Sequence, residues 1–328
     1  MHIMLVNVAP IPVFAYGGTE RVVWDLGLAL TELGHEVSFL VPAGSSCPFA
    51  HIQFIDPTKS WAAQIPADVD VVHFQFHPGS EPDRPYVVTE HGNGQIGKPL
   101  LRNTVFVSGS HAARHGSDQF VLNGLDWRNY QAPNWETKRI HTHFLGKAAW
   151  RVKNVRGAID VAALAHTPIA VLGGSRFNFK RGLRFTFSMH ARFYGMVGGS
   201  TKFNLLNQSN GLIFPVTWHE PFGLAVIESL FYGCPVFATP YGALPELVDS
   251  SVGVLSSSLH QLSEAVKEHL DNNTFTAAAC HERAVNCFSA VQMAENYVVK
   301  YNLVADGHML HALPPFGLQH TASGLTWS

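Results

Sequence analysis

The chain has 328 residues, 46% of them apolar, which is long enough for about two domains of roughly 100–200 residues each and too apolar for a disordered chain. Charged residues make up only 14%, 19 histidines carry part of the polar surface, and the net charge is −2. That balance excludes a uniformly basic nucleic-acid coat and a long acidic tail, and no apolar run reaches the about 18 residues of a membrane-spanning helix.

The N-terminus, Met1-His2-Ile3-Met4-Leu5-Val6-Asn7-Val8, has neither a cationic segment nor a cleavage site, so it reads as a strand over 2–8 and not as a signal peptide. A Pro/Gly-rich loop, 9–18, follows. Thr19 is placed to cap a helix with apolar positions Val22, Val23, Leu26, Ala29, Leu30 and Leu33, and Gly34 ends it in a left-handed turn. Strands are predicted over 36–41, 69–74, 86–89 and 104–107, each bounded by Pro, Gly, Asp or Asn. This strand–helix–strand rhythm predicts an α/β fold with a parallel, doubly wound sheet. The four cysteines, Cys47, Cys234, Cys280 and Cys287, form no Cys-x-x-Cys pair. Their scatter excludes a disulfide scaffold and points to a reducing cytoplasm.

The rhythm breaks at 125–138, a stretch with Trp127, Pro133 and Trp135 but no apolar periodicity, which marks the interdomain linker. It restarts with strands over 140–145, 169–172, 211–214 and 235–238 and helices over 158–165, 224–232, 259–270 and 290–302. The expected domains are therefore 1–138, joined by the final helix and tail at about 290–328, and 139–289. The tail from Asp306, rich in Gly, Pro, Ser and His, is expected to wrap the surface or hang loose. Two α/β domains facing across a cleft would take ligands beyond the carboxyl ends of their strands.

Two loop-to-helix junctions carry candidate chemistry. Gly17-Gly18 lies between the first strand and first helix, where glycine permits either close approach of backbone N–H groups to a ligand or a plain turn. Gly-x-Gly-x-x-Gly and the Walker A pattern are absent, which argues against a dinucleotide-dependent dehydrogenase and a P-loop enzyme. In Glu220-Pro221-Phe222-Gly223, proline near a helix start leaves the amides of Gly223 and Leu224 at the positive end of the helix, ready for a diphosphate or a sugar oxygen. Glu220 and Glu228 supply two hydrogen-bond acceptors for one ligand.

The run His219-Glu220-Pro221-Phe222-Gly223-Leu224-Ala225-Val226-Ile227-Glu228-Ser229 resembles the E-x7-E motif of retaining glycosyltransferases of the GT-B fold, particularly family 4. Gly233-Cys234-Pro235-Val236 and Gly242-Ala243-Leu244-Pro245-Glu246-Leu247-Val248 continue the resemblance, with Ala243 in place of the family's second glycine. Gly17-Gly18, Thr89-Glu90-His91-Gly92, Val107-Ser108 and Asn123-Gly124 extend it over roughly residues 3–302, in the family's order.

The resemblance implies two doubly wound Rossmann-like domains, the acceptor in the first and a nucleotide-sugar donor in the second. It implies that Glu220 contacts the donor sugar, that Glu228 holds the ribose, and that His91 lies near the sugar. Lys147 and Lys153 then hold the diphosphate, with Lys147 replacing the usual arginine and losing its bidentate fork. Gly17, Gly18, Phe222, Gly223 and Leu224 complete the expected donor contacts, and His91, Glu220, Lys147 and Lys153 form the expected catalytic set. The implied reaction moves a hexose-type sugar from a nucleotide-sugar, a UDP-sugar by family habit, to a hydroxyl acceptor, with retention and without metal or other cofactor.

No His-Glu-x-x-His signature is present, and the His73/His77, His111/His115 and His141/His143 spacings lack the Cys or Glu partners of a zinc site. Trp61, Trp127, Trp135 and Trp150 read as packing or linker residues, while Trp218 and Tyr241 adjoin the motif loops. Residues 147–202 hold ten Lys or Arg against the single Asp160, whereas residues 1–140 hold nine basic residues against thirteen acidic ones. A diphosphate is drawn to the former segment. With no basic amphipathic helix in the first domain, the expected acceptor is a soluble saccharide or small molecule, with no nucleic-acid partner and no stable membrane anchor. Two rival expectations are a GT-B sugar-nucleotide epimerase and a non-catalytic sugar-nucleotide-binding subunit.

Overall fold

The computed structural model describes residues 1–13, 18–94, 96–178, 184–185, 187–317 and 325–328. Its contacts divide the chain into two compact units, 1–127 with 288–320 and 128–287 with 321–328. The segment 128–138 and the last residues thus group with the second unit, where the sequence suggested the first.

In the first unit the strands are β1 (His2–Val6), β2 (Glu36–Val41), β3 (His51–Phe54), β4 (Val71–Phe74), β5 (Tyr86–Glu90) and β6 (Thr104–Phe106). They form one parallel sheet in the order β3-β2-β1-β4-β5-β6. Ile3, Met4, Leu5 and Val6 have no exposed surface, as expected of a strand covered on both faces. Helix α1 (Gly18–Glu32) links β1 to β2, and α2 (Gly109–Ala113) follows β6 with Ser108 Oγ accepting from the His111 amide. Thr19 is the second residue of α1 and not its cap, because the helix begins at Gly18, two residues earlier than a Thr19 cap would set it. Gly34 does adopt a positive φ, +86°.

The second unit repeats the plan. Its strands are β7 (His141–Leu145), β8 (Ile169–Leu172), a short antiparallel pair β9 (Phe177–Asn178) and β10 (Arg184–Phe185), then β11 (Ala191–Phe193), β12 (Ser209–Phe214), β13 (Val236–Ala238) and β14 (Gly253–Leu255). The parallel sheet runs β11-β8-β7-β12-β13-β14. Its helices are α3 (Val155–Leu164), α4 (Gly199–Asn207), α5 (Leu224–Phe231), α6 (Leu244–Leu247), α7 (Leu259–Asn272) and α8 (Ala277–Cys287). In each sheet the strand order reverses once, between β1 and β4 and between β7 and β12, and such a switch point opens a crevice beyond the carboxyl ends of the two strands.

The chain returns to the first unit through α9 (Ala290–Ala305), which packs on α1, β4 and β5. A buried polar chain fastens it there: Tyr301 Oη lies 2.8 Å from His73 Nδ1, His73 Nε2 lies 2.7 Å from Thr89 Oγ1, and Thr89 Oγ1 lies 2.7 Å from Tyr297 Oη. The tail beyond Asp306 is fixed where it is described. His311 bonds to Ser117 and to the Arg102 carbonyl, and Leu100 donates to the Pro315 carbonyl. Residues 325–328 lie on the second unit, where Tyr241 donates to the Thr326 carbonyl at 2.7 Å. Among the described residues no helix is long and apolar enough to cross a membrane.

Candidate functional site

The segments that leave β7 and β12 bring Lys153 and Glu220 together at the switch point of the second sheet. Beyond β7 the chain passes Lys147, which is exposed, and then forms a short 3₁₀ turn, Arg151–Lys153. Asn154 stops that turn in the left-handed conformation, and its side chain caps α3 by accepting from the Gly157 amide at 3.0 Å. The turn aims Lys153 at the loop after β12. Lys153 Nζ donates to Glu220 Oε2 at 2.5 Å, and Trp218 Nε1 donates to the same oxygen at 2.7 Å. The ammonium also stands 4.8 Å from the Trp218 ring centre and 5.2 Å from that of Phe214, so its cation rests between aromatic walls. Trp218 is itself held edge-on by Trp150, 5.3 Å away.

Two glycines fix the loop that carries Glu220. Gly223, at φ +116°, turns the chain into α5, so that Phe222 is buried and Leu224 becomes the first helical residue. Gly242, at φ +68°, pairs with Glu220 in an isolated β-bridge, and a Cβ there would lie 2.2 Å from the Glu220 carbonyl oxygen. Only glycine allows this approach. The next residue, Ala243, donates its amide to that same carbonyl at 2.9 Å and is fully buried.

Glu228 has different partners. It sits inside α5 at 3% exposure, and its Oε1 accepts from Lys202 Nζ at 2.6 Å and from Tyr130 Oη at 2.8 Å. Its negative charge, after burial itself, raises the neighbouring Tyr232 phenol well above its ordinary value. The two carboxylates, eight positions apart in the loop and helix, are therefore each met by a lysine from another element. Lys153 was legible as a phosphate candidate from its spacing. Lys202 was visible only as one of ten basic residues, and Tyr130 only as part of a linker.

In the first unit, His91 lies just past β5, and its Nε2 donates to Gln75 Oε1, just past β4, at 2.9 Å. Burial pulls its pKa down to about 4, so the imidazole is neutral at pH 7. Gln75 was not singled out by sequence; it is nine-tenths buried, and among the described residues its Nε2 has no partner. Glu90 Oε1 accepts from the Gly92 amide at 3.1 Å and so closes its own turn. Gly18 opens α1, while Gly17 lies outside the described residues. A separate cavity of about 490 Å³ beside the segments after β3 and β4 is lined by Ile55, Asp56, Trp61, Phe74 and Glu81 among others.

Of the histidine pairs flagged by spacing, His115 Nδ1 donates to the His111 carbonyl at 2.9 Å, while His141 and His143 go to separate partners. His141 Nε2 meets the Leu205 carbonyl at 3.0 Å, while His143 lies between Ser209 Oγ at 2.6 Å and Ser229 Oγ at 2.8 Å. Among the described residues no three His, Cys, Asp or Glu side chains converge as a metal site would require. Trp61 packs on Phe74 and Phe76, and Trp135 packs edge-on against His281.

Two six-stranded parallel sheets of identical order, each flanked by helices, have direct counterparts among solved structures. AviGT4, a glycosyltransferase involved in avilamycin A biosynthesis, superimposes with a TM-score of 0.74 over 93% of this chain and 98% of its own, at 20% identity. The fold is GT-B. Anabaena Alr3699/HepE, solved in complex with UDP and glucose, shares this GT-B fold with a TM-score of 0.64 over 92% and 99% of the two chains, at 15% identity. In sequence, residues 127–286 match the family described as glycosyl transferases group 1, a span almost coextensive with the second unit. An uncharacterized 41.2 kDa protein in the cps region of Klebsiella pneumoniae is 29% identical over 114 residues. That alignment spans 33% of this chain and 31% of the relative.

Proposed function

We propose that the protein is a retaining, family 4-like glycosyltransferase that moves a hexose-type sugar from a UDP-sugar to a hydroxyl acceptor. The observation that carries this reading is the Lys153–Glu220 pair, 2.5 Å apart at the switch point of the second sheet and inside the span matched to glycosyl transferases group 1. UDP as the nucleotude is favoured by the Anabaena structure, which holds UDP and glucose. The proposed location is the cytoplasm, and the proposed acceptor is a soluble saccharide or small molecule bound by the first unit.

The chemistry follows from the charges. As the bond between the anomeric carbon and the diphosphate oxygen breaks, its electron pair goes to the diphosphate and positive charge develops on the sugar. Lys153 and Lys147, with the amides of Gly223 and Leu224 at the start of α5, would stabilise the growing negative charge, the kind of contribution that is usually largest in catalysis. Glu220 accepts hydrogen bonds from sugar hydroxyls, and Glu228 from the ribose. The acceptor oxygen bonds the anomeric carbon on the face the diphosphate leaves, and its proton passes to the departing phosphate oxygen. Neutral His91 serves as a hydrogen-bond partner for the sugar and not as a cation. With lysines meeting the diphosphate, the proposed reaction uses no metal.

The test is to incubate the protein with UDP-glucose and a panel of saccharide acceptors, with and without EDTA, and to read the anomeric configuration of the product by NMR. The reading expects α-linked product from the α-linked donor, unchanged by EDTA. An inverted linkage, or free epimerised sugar nucleotide formed without acceptor, would overturn it.

A further inference from the structure

Lys202 and Tyr130 belong to no motif, yet both converge on Glu228. Lys202 comes from α4 and Tyr130 from the segment before β7. Lys202 is 7% exposed and Glu228 3%, and both the ammonium and the phenol hydroxyl donate to the same carboxylate oxygen, at 2.6 and 2.8 Å. The ammonium also stands 5.5 Å from the Tyr130 ring centre and 5.6 Å from that of Phe203. Tyr130 in turn packs on Phe203 and Phe231, so its hydroxyl is held in place by its own neighbours.

A buried ion pair is a poor device for stability, because desolvation of both charges offsets most of their attraction and apolar residues of similar size serve as well. Its presence here calls for a role of the carboxylate. Two donors on one oxygen fix the carboxylate's orientation, and the cation keeps it ionised and therefore a pure acceptor. We propose that Lys202 and Tyr130 are positioning residues that hold Glu228 for recognition of the nucleotide ribose, so that they set the preference for ribose hydroxyls over a deoxygenated sugar. This rests on the donor-site reading of Glu228 given above.

The experiment is calorimetric titration of UDP, GDP and ADP, each beside its 2′,3′-dideoxy counterpart, into wild-type protein and variants. Wild type is expected to bind at least one ribonucleotide about tenfold or more tighter than its dideoxy form. In Lys202→Met that preference falls about tenfold, through weaker ribonucleotide binding with dideoxy binding unchanged; Tyr130→Phe lowers it by about threefold. The double variant Lys202→Met/Glu228→Gln, which leaves no unpaired buried charge, is expected to fold and to show no preference. If Lys202→Met folds and keeps the wild-type preference, the inference is overturned. Should Lys202→Met fail to fold, an unchanged preference in Tyr130→Phe overturns it equally. Loss of preference in Glu228→Gln alone would leave the donor reading standing and remove only this inference. No binding of any nucleotide to wild type, or wild-type preference in Glu228→Gln, would overturn the donor reading and this inference with it.

Discussion

Lys153 Nζ and Glu220 Oε2 stand 2.5 Å apart, although 67 residues separate them in sequence. The pair joins the turn after β7 to the loop after β12, the two strands that flank the switch point. Each member has its own aromatic contact: the Trp218 ring lies beneath the ammonium and the Trp218 N–H bonds the carboxylate. The pair is therefore a preformed unit of one cation and one acceptor, suited to a diphosphate on one side and a sugar hydroxyl on the other.

Lys153→Met should weaken nucleoside-diphosphate binding by about 10- to 100-fold, the size of one or two charge-assisted contacts. Because it strands a largely buried carboxylate, it should also lower stability by about 1–3 kcal/mol. Titration of UDP and thermal melts of the same variant check both. Wild-type affinity in a folded Lys153→Met protein would remove the lysine from the donor site.

Gly242→Ala tests the loop geometry without touching a charged group. Its Cβ would lie 2.2 Å from the Glu220 carbonyl oxygen, and its φ of +68° is strained for alanine. The expected result is a loss of about 1–3 kcal/mol in stability and at least a tenfold loss of transfer activity as Glu220 is displaced. Melting temperature and kcat measured on one preparation are the readouts; an active, wild-type-stable variant would contradict the close approach.

His73→Leu should destabilise the first unit by about 1–3 kcal/mol, because it strands the buried Tyr301 hydroxyl while Thr89 keeps its bond to Tyr297. Urea unfolding measures the loss. An unchanged midpoint would mean that the His73–Tyr301 bond contributes nothing to holding α9 on the sheet.

Burial lowers the pKa of His73, His111 and His143 to about 3 and of His91 to about 4. In the unfolded chain each returns to about 6.5, so there the unfolded state binds more protons than the native one. Stability is accordingly full above about pH 6.5 and falls as pH drops toward 4 and 3, by up to about 1.4 kcal/mol per pH unit for each histidine. Between pH 7.5 and 5.5 the urea midpoint should decline visibly. Equal midpoints at the two values would show that these histidines titrate normally in the native state.

Much of this arrangement was legible in the residues. The strand at Glu36–Val41 and the helix after Gly223 follow from unbroken apolar runs and strong punctuation, and the Glu220/Glu228 spacing pointed to the site. Strand β3 was hidden because His51 and Phe54 are exposed and Ile52 and Gln53 only half-buried, so the segment has no apolar signature. Helix α4 was hidden by its polar run Gly199-Ser200-Thr201-Lys202, in which the buried lysine reads as a surface residue. Which lysine meets which glutamate is set by sheet order, and a linear spacing rule cannot carry that information. Tyr130 and Gln75 were missed for the same reason: both are defined by partners distant in sequence or on another strand.

The most direct measurement is the thermal shift of wild type, Lys153→Met and Glu228→Gln with UDP-glucose, GDP-glucose and ADP-glucose. A donor at about 100 times its Kd should add about 2.7 kcal/mol of stability. The account predicts that at least one of the three, UDP-glucose foremost, raises the wild-type melting temperature by several degrees, and that both variants lose most of the shift. A wild-type protein that none of the three stabilises, or variants that keep the full shift, would contradict it.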